Sequence, residues 1–219
     1  MKIPVSSLLN SVRLILFDLD GTLVDSEDFI VWSFTEAARL TGLRVDPSII
    51  RELIGYPLEY LLNEILGGVS EEKAREFIEV RRRLVWENWS KHVKLFPDVV
   101  PVLEYLSSKG YVLGVASSSI VERINAFLNH LGVSRYFNVV SGVTPGVRGK
   151  PEPDVILNAL RMTGMHPGET LYIGDRVVDC IAARQAGVGV VIVNRRGTGL
   201  STSGCSPDAV VQSLIELIE

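Results

Sequence analysis

Two kinds of hydrophobic pattern follow one another along the chain. Val12 to Asp18 (VRLILFD) is an apolar run that ends in an acid, as a parallel strand buried on both faces would read. From about Ser26 to His92 the period becomes helical, with no strand. Phe29 to Gly42 places apolar residues at helical spacing with Gly42 as the stop, and Tyr56 to Gly68 has Pro57 near a helix start. Ser70 followed by acids caps a third helix that ends before Lys91. Strands then alternate with helices. A helix at Asp98 to Ser108 leads to a strand at Tyr111 to Ser117, and a helix at Val121 to Leu131 to a strand at Phe137 to Ser141. A helix after Pro153 precedes the strand Thr170 to Asp175, and a helix through Ala186 precedes the strand Val188 to Val193. The tail reads as a short strand and a closing helix. This pattern predicts an α/β fold, a doubly wound parallel Rossmann-like sheet with helices on both faces. Residues 1–24 and 94–219 form the discontinuous core and 25–93 an inserted helical domain. Gly197 to Asp208 is a polar loop, and no internal repeat is present.

Composition narrows the class. At 219 residues, 47% hydrophobic and 22% charged, the chain is globular, one domain or one with an insertion. A net charge of -4 argues against a nucleic-acid surface. No apolar run approaches the ~20 residues of a membrane helix. The N-terminal segment begins like a signal peptide, but Arg13 interrupts it and no small-residue cleavage site follows, so none is expected. With Cys180 and Cys205 as the only cysteines, the expectation is no disulfide framework, no zinc site and a reducing cytoplasm, with Cys180 a buried helix residue.

In an open parallel sheet the ligand site lies beyond the carboxyl ends of the strands. There the chain places Asp18-Leu19-Asp20-Gly21-Thr22, then Ser117 to Ser119, then Gly149-Lys150-Pro151, then Gly174-Asp175 with Asp179 four residues on. Asp18 and Asp20, two apart on an extended chain, face one side, and Gly21 permits a sharp exit. Close carboxylates need a cation, and with Asp175 as a third oxygen donor Mg²⁺ is the natural one. Lys150 and Ser117 suit phosphoryl oxygens, and the absence of histidine argues against zinc. Each acid alone would be a turn or cap residue; the joint pattern points to catalysis. Asp179 reads first as a site residue and otherwise as a helix cap, and Ser118 and Ser119 either cap a helix or touch substrate. Arg81 to Arg83 read as a solvated helix face, and His92, His130 and His166 as isolated surface or loop residues. Trp32, Trp86 and Trp89 read as packing between helices, with a place lining the site left open.

The motifs DLDGT at Asp18, VASSS around Ser117, GKPEPD at Lys150 and GDRVVD at Asp175 occur in order, each at a strand end. In these the sequence resembles the haloacid dehalogenase superfamily hydrolases, in the helical-cap phosphatase branch that includes phosphoglycolate phosphatase-like members. The resemblance covers nearly the whole chain. It implies Asp18 as nucleophile, Asp20 as general acid/base, and Mg²⁺ on the Asp18 and Asp175 carboxylates and the Asp20 backbone carbonyl. Ser117 and Lys150 would hold the phosphoryl group, with Asp179, Gly174 and Thr22 in support. The cap would supply specificity, with Gly55 and Tyr56 facing substrate. Expected partners are a small phosphorylated metabolite, with no nucleic acid and no membrane, for a cytoplasmic monomer or homodimer. The rival within the branch is a sugar-phosphate mutase such as β-phosphoglucomutase. Three departures count against it: Ile30, Leu58 and Ile120 stand where those enzymes carry histidine, arginine and lysine. A receiver domain is discounted because its phosphoacceptor follows the third strand, and a catalytically silent binding protein remains a further alternative. Asp98 replaces the family's usual glycine and reads as a helix cap.

Overall fold

The computed structural model describes residues 5–195 and 204–219. Its centre is a six-stranded, wholly parallel sheet in the order β5-β4-β1-β6-β7-β8. The strands are β1 (Leu14–Phe17), β4 (Val112–Ile120), β5 (Val139–Val143), β6 (Thr170–Gly174), β7 (Gly189–Val193) and β8 (Ala209–Val211). Their near-continuous apolar character follows from burial on both faces. Ile15 and Phe17 join Leu113, Val115 and Ile173 in one core, which α5 (Val99–Ser108) and α6 (Val121–His130) cover. Leu14 and Leu16 point the opposite way, into a second core with Tyr172, Val190 and Ile192 under α7 (Asp154–Thr163) and α8 (Val177–Ala186).

After β1 the chain runs through β2 (Val24–Asp25) into four helices and returns through β3 (Lys94–Leu95). These two short strands pair antiparallel, Val24 with Leu95 and Asp25 with Lys94, so departure and return lie side by side. Two-residue strands leave no period for a sequence reading to find. The helices are α1 (Glu27–Thr41), α2 (Pro47–Leu53), α3 (Leu58–Ile65) and α4 (Glu71–His92). Ile30, Val31, Phe34, Ala37 and Ala38 form the buried stripe of α1 and close a third core with Ile50, Leu61 and Phe77. Gly42 ends α1 in the left-handed region at φ 68°, and the Ser70 hydroxyl accepts the Lys73 N–H at the start of α4.

Several expectations are corrected. The sequence reading passes over α2, although Asp46 caps it and Pro47 opens it. Helix α4 continues two residues past the expected end, to His92. The closing helix is a single 3-10 turn, Leu214–Leu217. Asp98 makes no side-chain cap for α5; its carboxylate accepts from Arg195, the Ser213 hydroxyl and the Leu214 N–H, and so holds the C-terminal segment. Cys180 and Cys205 are disulfide-bonded, not free. The α8 thiol is buried in the second core, where the segment after β7 brings Cys205 to it, a meeting that two cysteines 25 residues apart do not announce. The polar loop read at 197–208 falls partly outside the described residues. Among the described residues no helix is long and apolar enough to cross a membrane.

Candidate active site

The site grows from the carboxyl ends of four adjacent strands. The Asp18 N–H donates to the Ile173 carbonyl at 2.8 Å, extending the β1–β6 ladder by one residue and fixing the Asp18 backbone as the chain leaves the sheet. Its side chain is buried, as are Ser117 in β4, where the pairing with β5 shifts register, and Lys150 in the loop after β5. The Lys150 ammonium lies 2.7 Å from Asp18, 2.5 Å from Asp179 and 3.1 Å from the Tyr172 hydroxyl, and it donates to the last two. The Asp18 contact is an ion pair without hydrogen-bond alignment. The Tyr172 hydroxyl in turn donates to the Ala116 carbonyl at 2.8 Å.

Burial alone would discharge this lysine, but Asp179 and then Asp18 outweigh it and raise its pKa, so it stays cationic. Burial acts the other way on the acids. It holds Asp18 above the ordinary carboxylate range, against the pull of Lys150 and with the repulsion of Asp179. Asp175 is raised further, by burial and then by Asp179, with Arg176 opposing.

Oxygens of Asp18, Asp175 and Asp179 all lie within 4.8 Å of one another. Asp179 is already committed, to Lys150 and to the N–H groups of Asp175 at 3.0 Å and Arg176 at 2.8 Å. Asp179 thus contacts the lysine and also accepts from the backbone at the start of α8. The two crowded, raised acids that remain, Asp18 and Asp175, suit a hard divalent cation, which would relieve their repulsion. The Asp20 carboxylate stands outside this cluster. It takes two bonds from Arg123, at 2.6 and 2.8 Å, and one from the Ser26 hydroxyl. Burial would raise Asp20, but Arg123 and Ser26 together lower it.

The small residues make room for these contacts. Gly21 has φ +81°, and a Cβ there would collide with the Asp175 carboxylate. A Cβ at Gly174 would strike Asp179. The buried Thr22 hydroxyl donates to Asp175 at 3.2 Å. Neither Ser118 nor Ser119 caps α6. Ser118 donates to the Gly55 carbonyl at 2.8 Å and accepts the Lys150 N–H at 3.0 Å; Ser119 accepts from Arg123.

Above Asp18 and Asp20, between the four helices and the sheet edge, lies a cavity of about 290 Å³. Gly55 and Tyr56 line it, as do Ile30, Leu58 and Ile120. Tyr56 stacks on Tyr60 at 4.9 Å. Trp86 and Trp89 also line it, whereas Trp32 stacks against Phe29 and His92 outside. His92 and His130 are therefore not isolated; His130 meets the Trp89 ring edge-on. Arg81 is no part of a solvated face. Its guanidinium lies 3.7 Å over the Phe34 ring and lines the cavity, while Arg82 pairs with Glu79.

The sequence reading passes over five residues of this site. Tyr172 looks like any aromatic in a buried strand, and Arg123 like a helix-surface cation. Arg176 adjoins Asp175 in sequence and bonds it at 3.1 Å, then reaches Glu27 at 2.8 Å and the Arg51 carbonyl at 3.0 Å. Glu27 is buried and also pairs with Arg51 at 2.9 Å. The only local signal for this Glu27-Arg51-Arg176 clasp is a cation beside a strand-end acid.

A buried acid–lysine–acid chain with a further carboxylate beside it stands at the carboxyl edge of a doubly wound sheet. Comparison with known proteins places it. Residues 15–193 match the haloacid dehalogenase-like hydrolase family, to which this chain belongs, and relatives of known activity are named as phosphatases. The chain is 34% identical over 177 residues to a phosphoglycolate phosphatase of Aquifex aeolicus, covering 80% of this chain and 82% of the relative. It is 29% identical to the pyrophosphatase PpaX of Oceanobacillus iheyensis over 95% of this chain and 96% of that one. Among solved structures, a haloacid dehalogenase-like family protein from Streptococcus pneumoniae superposes with a TM-score of 0.83 at 28% identity, covering 95% of this chain and 97% of the other.

Proposed function

We propose that this chain is a Mg²⁺-dependent phosphatase that hydrolyses a small phosphomonoester through an aspartyl-phosphate on Asp18. The observation that carries the reading is the buried Asp18–Lys150–Asp179 chain, with Asp175 beside it and a cavity above. Mg²⁺ held by Asp18, Asp175 and the Asp20 backbone carbonyl would neutralise charge on the phosphoryl oxygens. An Asp18 carboxylate oxygen attacks phosphorus and the bond to the leaving oxygen breaks, with Asp20 giving that oxygen a proton. Water then adds to phosphorus, its proton passes to Asp20, and inorganic phosphate leaves with Asp18 restored. Lys150 and Ser117 hold the equatorial oxygens throughout. Asp20 is an acid only once protonated, which Arg123 opposes, so Arg123 has to loosen its grip as the substrate enters.

In this reading residues 25–93 act as a cap that supplies specificity. Substrate is a small phosphorylated metabolite, and neither nucleic acid nor membrane takes part. The protein works as a monomer or homodimer in the cytoplasm. The Cys180–Cys205 bond is compatible with that compartment in cells that keep intracellular disulfides, such as hyperthermophiles. Ile30, Leu58 and Ile120 line the cavity where the mutases carry histidine, arginine and lysine, which favours hydrolase over mutase.

The test is phosphate release from a panel of phosphomonoesters with Mg²⁺ and with EDTA, beside Asp18→Asn. Metal-dependent release that falls roughly 10⁴-fold or more in the variant is expected. Release that survives the substitution or the chelator would overturn the reading.

A further inference from the structure

The cavity over Asp18 is mismatched to the leaving groups of the relatives named above. Away from the acids and serines of its floor its walls are mainly apolar, among them Phe34, Ile54, Leu61, Trp86 and Phe127, with three arginines between them. A volume of about 290 Å³ is near the lower end of pockets that enclose whole organic ligands, roughly 300–1,000 Å³. Glycolate would leave most of it empty, and the phosphate released from pyrophosphate would put charge against hydrocarbon.

One group breaks the apolar lining without a partner. Arg81 makes no ion pair or hydrogen bond among the described residues, and its buried Nε has no acceptor. Its guanidinium rests on the Phe34 ring. The neighbouring cation, Arg123, is satisfied by Asp20. Burial and then repulsion from Arg123, with weaker attraction to Asp20 opposing them, bring Arg81 down to about 9, so it still carries its charge at neutral pH. A buried cation with no ion-pair or hydrogen-bond partner among the described residues has its ligand still to come. The phosphoryl group has its own cradle on the floor, in Lys150 and Ser117. The anion that meets Arg81 therefore belongs to the leaving group. Arg82 and Arg123 also line the cavity but already pair with Glu79 and Asp20, so a single unpaired guanidinium is left, matching the single charge of a carboxylate.

We propose that the substrate is the phosphate ester of a hydroxy acid with a bulky apolar body, its carboxylate bound by Arg81 and its body by the apolar wall. This rests on the phosphatase reading. It makes Arg81 the specificity residue and phosphoglycolate a poor substrate.

The experiment compares four esters at saturating Mg²⁺: p-nitrophenyl phosphate, phosphoglycolate, the phosphate ester of 3-phenyllactate, and 3-phenylpropyl phosphate, which lacks the carboxylate. Hydrolysis of none of them would sink the phosphatase reading itself. Given hydrolysis, kcat/KM for phosphophenyllactate should exceed that for phosphoglycolate by on the order of 100-fold, since a full apolar side chain is buried. In Arg81→Gln, the preference for phosphophenyllactate over 3-phenylpropyl phosphate should shrink roughly 10- to 100-fold, and Arg81→Lys should restore part of it. Phosphoglycolate turned over as well as phosphophenyllactate, or a preference ratio that Arg81→Gln leaves unmoved, would overturn the proposal. Binding gives a readout independent of turnover. Phenyllactate should alter the fluorescence of Trp86 and Trp89 at concentrations where glycolate and 3-phenylpropanol do not, and an equal response to 3-phenylpropanol would also overturn it.

Discussion

Lys150 shows how one residue can carry both fold and chemistry. It is fully buried, with Asp18, Asp179 and Tyr172 around its ammonium. Removing it leaves two acids facing each other without compensation, so Lys150→Met should lose about 3–5 kcal/mol in a urea melt as well as its phosphatase activity. Loss of activity with unchanged stability would mean that the acids take up protons at little cost. Asp98 makes the opposite case, a structural acid far from the chemistry. Burial would raise it, but Arg195, Ser213 and the Leu214 N–H together lower it below 3.8. A depressed carboxylate contributes stability above its unfolded pKa and loses it as pH falls through the folded one. Asp98→Ala should therefore cost about 1–3 kcal/mol at neutral pH, and the deficit should close in melts taken progressively below pH 3.8. Asp98 also shows where residue-scale reading stops. Its position before α5 announces a cap, and only the returning C-terminal segment, over a hundred residues later, reveals its actual partners.

Elements were legible wherever a period ran long enough to count. The strands β1, β4, β6 and β7 and the helices α1 and α4 follow from their apolar spacing, and the acids at the strand ends follow from the strands. What stayed hidden has no period. The β2–β3 pair is two residues on each side, and α2 spans only seven. The clasp of Glu27, Arg51 and Arg176 joins α1 and α2 to the start of α8 across some 150 residues of chain, and no local pattern encodes a contact of that range. It ties the helical layer to the acid edge of the sheet. Glu27→Gln should weaken its ion pairs with Arg51 and Arg176, and amide exchange in α2 should accelerate roughly tenfold relative to α7. Equal exchange in both helices would show that the clasp holds nothing.

At the scale of the whole molecule, three hydrophobic cores are stacked, two against the sheet faces and one among the helices, and the disulfide staples the second of them. Closing a loop of 25 residues is worth about 3 kcal/mol, so in a chain of this size a reductant should lower the melting temperature by about 6–12 °C. Cys205→Ser should melt with the reduced protein; a melt that ignores reductant would show the bond to be absent in solution. The bond also changes how the polypeptide is connected. A protease cut anywhere between Cys180 and Cys205 would break the backbone without separating the pieces, because the sulfurs still join β8 and the C-terminal turn to the rest. Such a nicked protein should run as one band on a non-reducing gel and as two once reduced.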